Sequence, residues 1–408
     1  MFGRNWDKKE RILIGLMSGT SCDGIDAALV RINGSGADSA IKLEAFQELN
    51  FSSSVQKLIK ECQGPEAGSN RKLTLLDSYI GELFAHAALA LCKKAGIEPA
   101  TVDLIGSHGQ TLYHHPRIEK FPGFSVNGTL QVGNPALIAE RTGITVVSDF
   151  RSRDMAVGGQ GAPLAAYLDY VLYHNVSRSR LVLNIGGIAN VTVLPSKADI
   201  SGVWAFDTGP GNCLVDLAVS RISGGKKTYD RDGVMAMSGK TSQVMLKMLM
   251  EHPFLAVKPP KSADKDIFGA AFLDKITQAL PPLNGADLIS TLTEFTVKSI
   301  AVAIMEFALQ RERCEEIIIS GGGAHNPAIV EGLKTALPKL MLSPADAYSI
   351  PAKAKEAVLM AVLAHQSACG LSGNVPSATG ARKGVVLGSI TPGINFFADE
   401  EGDKDASS

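Results

Sequence analysis

Apolar residues run through positions 11–16, small residues fill 18–24, and apolar and polar positions alternate again over 25–32. That pattern predicts strand, glycine-rich turn, strand. It returns further on, with an apolar run at 181–185, a break at Gly186-Gly187 and a second run at 188–194. Between them, Leu76, Ile80, Leu83, Phe84 and Ala87 recur at helical spacing and predict a helix over 73–95. Gly96 stands where a helix-ending glycine belongs. Short apolar runs at 103–107, 144–147 and 204–206 read as strands. The first leads into His108-Gly109-Gln110-Thr111, and the last ends in Asp207-Thr208-Gly209-Pro210-Gly211-Asn212. A long helix at 288–311 precedes the strand 316–320, which ends in Gly321-Gly322-Gly323. Strands alternating with helices indicate an α/β architecture. The repeated strand–turn–strand signal hints at two related halves.

The 408 residues, 45% hydrophobic and 20% charged, exceed what one compact core holds, so two domains are expected. A formal net charge of −1, with Lys and Arg spread along the chain, gives no footprint for nucleic acid or an anionic membrane. The polar start at 1–11 is not a signal peptide, and no apolar run reaches the ~20 residues of a bilayer span. Cys22, Cys62, Cys92, Cys213, Cys314 and Cys369 lie far apart, without disulfide or zinc-site spacing. They read as small buried hydrophobes in a cytoplasmic protein. The acidic, serine-ended stretch 399–408 reads as a disordered tail.

Chemistry concentrates at three glycine turns that follow apolar strands: Gly19-Thr20-Ser21, Gly186-Gly187 and Gly321-Gly322-Gly323. Glycine lets backbone N–H groups approach a phosphate closely, and ligands of open α/β sheets gather beyond the carboxyl ends of strands. Each turn taken alone is equally a plain tight turn. No dinucleotide fingerprint is present. Ser238-Gly239-Lys240-Thr241 imitates the end of a P-loop, but Val234 stands where that motif needs glycine and a helix precedes it.

Asp207 closes a strand and opens a glycine-rich loop, a suitable place for a general base. The competing role is a helix cap for 214–219, which Asn212 is placed to take instead. Asp23 and Asp26 flank the first turn, where they are placed to orient water on a magnesium ion beside ATP phosphates, or simply to face solvent. Arg151 and Arg153 suit a bidentate grip on an anion, or surface pairing with Asp149 or Asp154. The spacing of His108, His114 and His115 matches no metal-ligand pattern.

Taken in order, these stretches resemble the anhydro-N-acetylmuramic acid kinases. The resemblance rests on Gly15 through Asp26, Ser107-His108-Gly109-Gln110-Thr111, Asp149-Phe150-Arg151 and the run 158–164. It continues through 184–190, Phe206-Asp207 with the loop to Asn212, Pro259-Pro260-Lys261-Ser262 and Thr291-Leu292-Thr293. Gly321 through Asn326, Lys355-Glu356-Ala357 and Thr379-Gly380-Ala381 complete it, so that it covers about 12–392. It implies a two-domain fold of the sugar kinase, actin and heat-shock chaperone superfamily, with ATP in the cleft between domains. The first domain would take 1–150 with about 372–398, and the second 151–371.

By the same resemblance the enzyme uses ATP and Mg2+ to open a 1,6-anhydro ring with water and to phosphorylate O6. Asp207 would activate the water. Gly19, Thr20, Ser21, Cys22, Asp23, Gly24, Ile25 and Asp26 would form the ATP-phosphate loop, with Gly186 and Gly187 as a second phosphate turn. Gly321, Gly322, Gly323 and Asn326 would line the nucleotide pocket, while His108, Arg151 and Glu356 contact the sugar or order the site. The resemblance also implies a homodimer. The chain departs from the family pattern at Ala263-Asp264-Lys265-Asp266, where threonine, glycine, arginine and glutamate are usual. It also departs at Ala166, where many members carry proline, and at Leu359 or Met360, which fill an aromatic position. Two other readings share these residues: a kinase of another anhydro sugar such as levoglucosan, and a nucleotide-binding regulator without sugar chemistry.

Overall fold

The computed structural model describes residues 8–64, 67–263, 267–348 and 350–396. The tail at 399–408 and the departures at Asp264, Lys265 and Asp266 lie outside the described residues. Along the chain run β1 (Glu10–Ser18), β2 (Gly24–Asn33), β3 (Ala40–Asn50), β4 (Leu104–Phe121), β5 (Phe124–Val132) and β6 (Val146–Ser148). β7 (Ser179–Ile185), β8 (Ile188–Leu194), β9 (Trp204–Pro210), β10 (Cys314–Ser320), β11 (Met341–Pro344) and β12 (Ser389–Thr391) follow.

The chain divides into two compact units. One holds the described residues as far as Val171 and again from Ile350, and the other is Leu172–Tyr348. The boundaries therefore fall later than 150 and earlier than 371. The reason for the second lies in the helix Lys355–Ala368, which packs on β1, β2 and β4 of the first unit. Residues Ala357 through Gln366 of that helix are buried without interruption.

In the first unit the sheet order is β12-β6-β4-β1-β2-β3, with β5 paired to β4. In the second it is β11-β10-β7-β8-β9. β1 is parallel to β4 and antiparallel to β2, and β7 is parallel to β10 and antiparallel to β8. The two units thus follow one strand plan, the two related halves that the repeated strand–turn–strand signal hinted at. Central strands are apolar on both faces because helices cover both. Leu181, Val182 and Leu183 of β7, and Ile317 and Ile318 of β10, are almost wholly excluded from solvent.

Local signals set the helix ends. Ser69 caps the helix Asn70–Ala95 by accepting from the Lys72 amide at 3.3 Å, and Gly96 ends it in the left-handed conformation with φ 68°. The helix expected at 288–311 spans Gly285–Ala303, and a π-helical turn, Ile304–Ala308, follows it. This helix and Asn70–Ala95 are long and apolar enough to cross a bilayer by length and composition, contrary to the run-length expectation. Half or more of each apolar window is buried inside the protein, the setting of core helices.

Two strands run further than their apolar residues suggested. His108-Gly109-Gln110-Thr111 lies within β4, which continues into a hairpin with β5. Asp207 lies within β9, paired with Asn190 of β8, and the strand extends to Pro210. Backbone pairing with a neighbour held these polar residues in strand where hydrophobicity gave no sign of it. Ala166 is buried within the helix Ala165–Tyr173, and Leu359 and Met360 are buried in Lys355–Ala368.

Candidate active site

The first glycine turn joins β1 to β2 and closes with the Cys22 amide donating to Gly19 O at 3.2 Å. Thr20, Ser21 and Asp23 are exposed, whereas Cys22, at φ 61°, and Ile25 are buried beneath them. Gln110, fully buried on β4, holds this turn from below. Its amide donates to Gly19 O at 3.1 Å, and Ser18 donates its hydroxyl to Gln110 Oε1 at 2.7 Å. Gly24 has no room for a side chain because a Cβ would overlap Leu49 O. Sequence reasoning passed over Gln110, although it belongs to the motif 107–111.

The second turn, between β7 and β8, is fastened to the chain that leaves β9. The amides of Gly211 and Cys213 donate to Gly187 O, and that of Asn212 donates to Gly186 O at 2.8 Å. Asn212 holds the N-cap position of the helix Cys213–Ile222, yet its side chain donates to Ile185 O rather than capping. The third turn lies against the second. A Cβ on Gly321 (φ 81°) would meet Asn184 and Ile185, and one on Gly323 would overlap Ile185. Fold packing therefore accounts for these two glycines. Gly19, Gly186 and Gly187 have negative or extended φ and only ordinary space around a built Cβ. Nothing among the described residues requires glycine there.

Asn326 spends its side-chain oxygen on the Ala328 amide, capping the helix Pro327–Ala336. Gly233 packs directly on Asn326. Beside that contact, a cavity of about 530 Å³ is lined by Lys226, Lys227, Tyr229, Arg231 and Asp232. The sequence reading did not pick out this segment, whose basic residues stand among acids that mask them in any charge count.

Asp207 is half-buried. Its Oδ2 accepts the Ala263 amide at 2.7 Å, and its own amide donates to Lys261 O at 3.0 Å. The register of β9 slips between Asp207 and Gly209, a bulge that re-aims side chains locally. Burial raises the Asp207 pKa to about 6, against the lowering effects of the Ala263 amide and the Lys261 charge. It caps no helix. A carboxylate held by one oxygen and tuned toward neutrality has the properties of a general base. Asp216, on Cys213–Ile222, is likewise raised to about 6, by burial.

In the first unit, His108 is buried, with both ring nitrogens engaged. Nδ1 meets Gly109 O at 2.9 Å, so it carries the proton, and Nε2 accepts from Arg151 Nε at 3.0 Å. Burial and the Arg151 charge depress the His108 pKa to about 3, which fixes the neutral ring. His108 therefore orders Arg151. Arg151 also donates to Gly161 O at 2.7 Å. Neither Asp149 nor Asp154 pairs with it. Asp154 is buried and accepts from Asn374, Thr379 and the Gly161 amide, which fixes the loop carrying Gly161 O. Arg153 is exposed.

Glu356, on the first turn of Lys355–Ala368, keeps an accessible surface but is crowded by protein, and the lost solvation raises its pKa against the opposing charges of Arg151 and Lys355. Lys355 is itself paired with buried Asp169 at 2.5 Å. Glu356 also acts on Asp26, whose pKa is raised to about 6 by burial, Glu48 and Glu356, with Lys353 opposing. Asp26 and Glu48 face each other across β2 and β3. Next to His108, a cavity of about 330 Å³ is lined by Ser107, Gln131, Asp149 and Asp77. The Ser107 hydroxyl is buried there with no hydrogen-bond partner among the described residues.

A family model described as anhydro-N-acetylmuramic acid kinase matches residues 11–393. A protein of that name from Caldanaerobacter subterraneus subsp. tengcongensis is 43% identical over 390 residues, covering 95% of this chain and 98% of the relative. One from Bacillus cereus is 42% identical over 383 residues, with 93% and 98% covered. Another from Clostridioides difficile is 40% identical over 379 residues, with the same coverage. Nearly full-length matches to model and relatives alike establish that the chain belongs to the anhydro-N-acetylmuramic acid kinase family.

Proposed function

We propose that the protein is an ATP- and Mg2+-dependent kinase that opens anhydro-N-acetylmuramic acid with water and phosphorylates O6, giving N-acetylmuramic acid 6-phosphate during cell-wall recycling. Membership of the family makes it a phosphotransferase acting on a small sugar. The observation that carries the proposed mechanism is the Asp207 carboxylate, with Oδ2 bound to the Ala263 amide and its pKa raised to about 6. Asp207 takes a proton from water as that water adds to the anomeric carbon. The bond from this carbon to O6 breaks, O6 bonds to the γ-phosphorus, and ADP leaves. A base with a pKa near 6 is mostly ionised at pH 7 and still basic enough to accept the proton.

Arg151, ordered by His108 and Gly161 O, is assigned to polar groups of the sugar, with Glu356 beside it. The glycine turns are assigned to ATP phosphates, and the lysine- and arginine-lined cavity at 226–235 suits a nucleotide's charge. Bound Mg2+ would neutralise phosphate charge. Among the described residues no cluster of His, Cys, Asp and Glu makes a metal cage. That fits an ion held mainly by phosphate oxygens and water with one or two carboxylates, for which Asp23 and Asp26 are proposed. We assign the enzyme to the cytoplasm, where ATP is available, and to a homodimer, which light scattering would test against the 43.0 kDa chain mass.

ADP release measured across a panel of anhydro sugars tests the reaction. Release is expected with anhydro-N-acetylmuramic acid. Release with levoglucosan alone, or at one rate without any sugar, would sink the proposal. The phosphate role of the second turn has its own test. Gly187→Ala meets only ordinary contact at 3.8 Å, so its melting temperature should match wild type. Its KM for ATP should rise about tenfold, equivalent to ~1.4 kcal/mol of lost binding. An unchanged KM would remove Gly187 from the ATP site.

A further inference from the structure

We propose that Lys261 is a positioning residue for the reaction, holding the backbone clamp that presents the Asp207 carboxylate. The inference rests on Asp207 being the base. Three observations within the second unit carry it. The Lys261 ammonium is buried, with only 7% of the residue exposed. It donates to Phe254 O at 3.2 Å and Leu255 O at 3.3 Å, carbonyls of the short helix Pro253–Ala256. It also lies over the rings of Phe254 and Phe307, 4.7 and 4.9 Å from their centroids. Two carbonyl dipoles and two ring faces make a cage suited to a cation.

The backbone of the same residue grips β9. Lys261 O accepts the Asp207 amide, and two residues on, the Ala263 amide donates to Asp207 Oδ2. The segment 261–263 thus acts as a strand partner for Asp207, pinned from the inside by the caged side chain. One carboxylate oxygen is fixed, while Oδ1 accepts no hydrogen bond among the described residues and is left for the water. An exposed lysine would anchor nothing, and a buried ammonium is costly unless it is held in this way.

Charge adds to geometry. No ion pair within 4 Å joins Lys261 to Asp207 among the described residues, but each acts on the other. The lysine lowers the Asp207 pKa, and the aspartate raises that of Lys261, which burial has brought down to about 8. Other charges near the cage point elsewhere. His252 caps Pro253–Ala256 and packs on Phe268 and Phe272, Arg311 lies over Trp204, and Glu306 and Lys258 are exposed.

The test compares Lys261→Met, Lys261→Arg and Asp207→Asn with the wild-type chain, using ADP release with anhydro-N-acetylmuramic acid from pH 5 to 9. Lys261→Met keeps an unbranched apolar stem, one atom shorter, and removes the cation. Its kcat should fall on the order of 10²-fold, as a displaced catalytic group does. The acid limb of its pH profile should move to higher pH, because a neighbouring positive charge favours ionised Asp207. KM for ATP should stay near wild type.

Wild-type kcat, or a lower kcat with the acid limb unmoved, would overturn the role of Lys261. If the methionine variant does not fold, Lys261→Arg decides. Its cation remains but its planar head does not fit between the rings, so kcat should drop at least about tenfold with the limb in place. A wild-type kcat in Lys261→Arg would overturn the proposal. Asp207→Asn separates the two readings. If it is inactive while the lysine variants behave as wild type, only Lys261 is wrong, whereas an active Asp207→Asn removes the base itself.

Discussion

Asp207→Asn is expected to lose sugar-dependent ADP release by at least about 10²- to 10⁴-fold, the range a general base contributes. ATP binding should persist, as followed by calorimetry or a fluorescent nucleotide. Asparagine keeps the size of the side chain and can accept the Ala263 amide, but cannot take a proton from water. In the wild-type enzyme, kcat/KM should rise with pH through about 6 as Asp207 ionises.

Stability should respond in the opposite sense to activity. Asp207 has a folded pKa of about 6, above its ordinary 3.8, because burial disfavours its charge. Its favourable contribution is therefore fully present below pH 3.8 and is lost as pH rises through 6. At pH 7 the ionised group costs the fold on the order of 1–3 kcal/mol. Asp207→Asn should thus melt at the wild-type temperature or a few degrees above it at pH 7. A dead variant with a normal or raised melting temperature marks a catalytic defect. A dead variant with a much lower one would mean that Asp207 serves the fold.

The largest expected loss of stability lies at a position without chemistry. Gly15→Ala should cost roughly 3 kcal/mol, the upper range for overpacking, and more if the helix cannot shift. Gly15 sits on β1 where the helix Lys355–Ala368 crosses it, and a Cβ there would overlap Ala357 O. Gly106 on β4 faces the same helix, where a Cβ would overlap Met360 O. Both obstacles are backbone atoms of a helix buried on the sheet, so no rotamer change relieves them. Urea denaturation would measure the cost. A change below about 0.5 kcal/mol, the scale of an ordinary surface substitution, would show that the helix has slack. Because Glu356 precedes Ala357, Gly15→Ala should also reduce turnover in the fraction that stays folded.

Much of this was legible along the chain. Apolar runs and glycine breaks marked the strands, and the helical spacing at 76–87 with Gly96 marked a helix and its end. Local pattern suffices where the determinant is local: pleat, helical period, a left-handed cap. The pattern stopped short for β4 and β9, where polar residues are held in strand by backbone pairing to a neighbour. Gln110 beneath the first turn and Lys261 behind Asp207 were quoted as letters of motifs without a role. Their partners, Gly19 and Asp207, lie 91 residues away in one case and 54 in the other.

The sequence by itself thus determined the α/β class, the doubled strand–turn–strand plan, the family resemblance and Asp207 as the base to test. Only the tertiary structure decided that Asp207 has one oxygen bound and a raised pKa, that His108 spends both nitrogens ordering Arg151, and that Gly15 is glycine to seat a helix. The physical reason is common to all three. Burial, hydrogen-bond partners and close backbone approach are properties of pairs of residues distant in sequence, and they exist only once folding has put the pairs together.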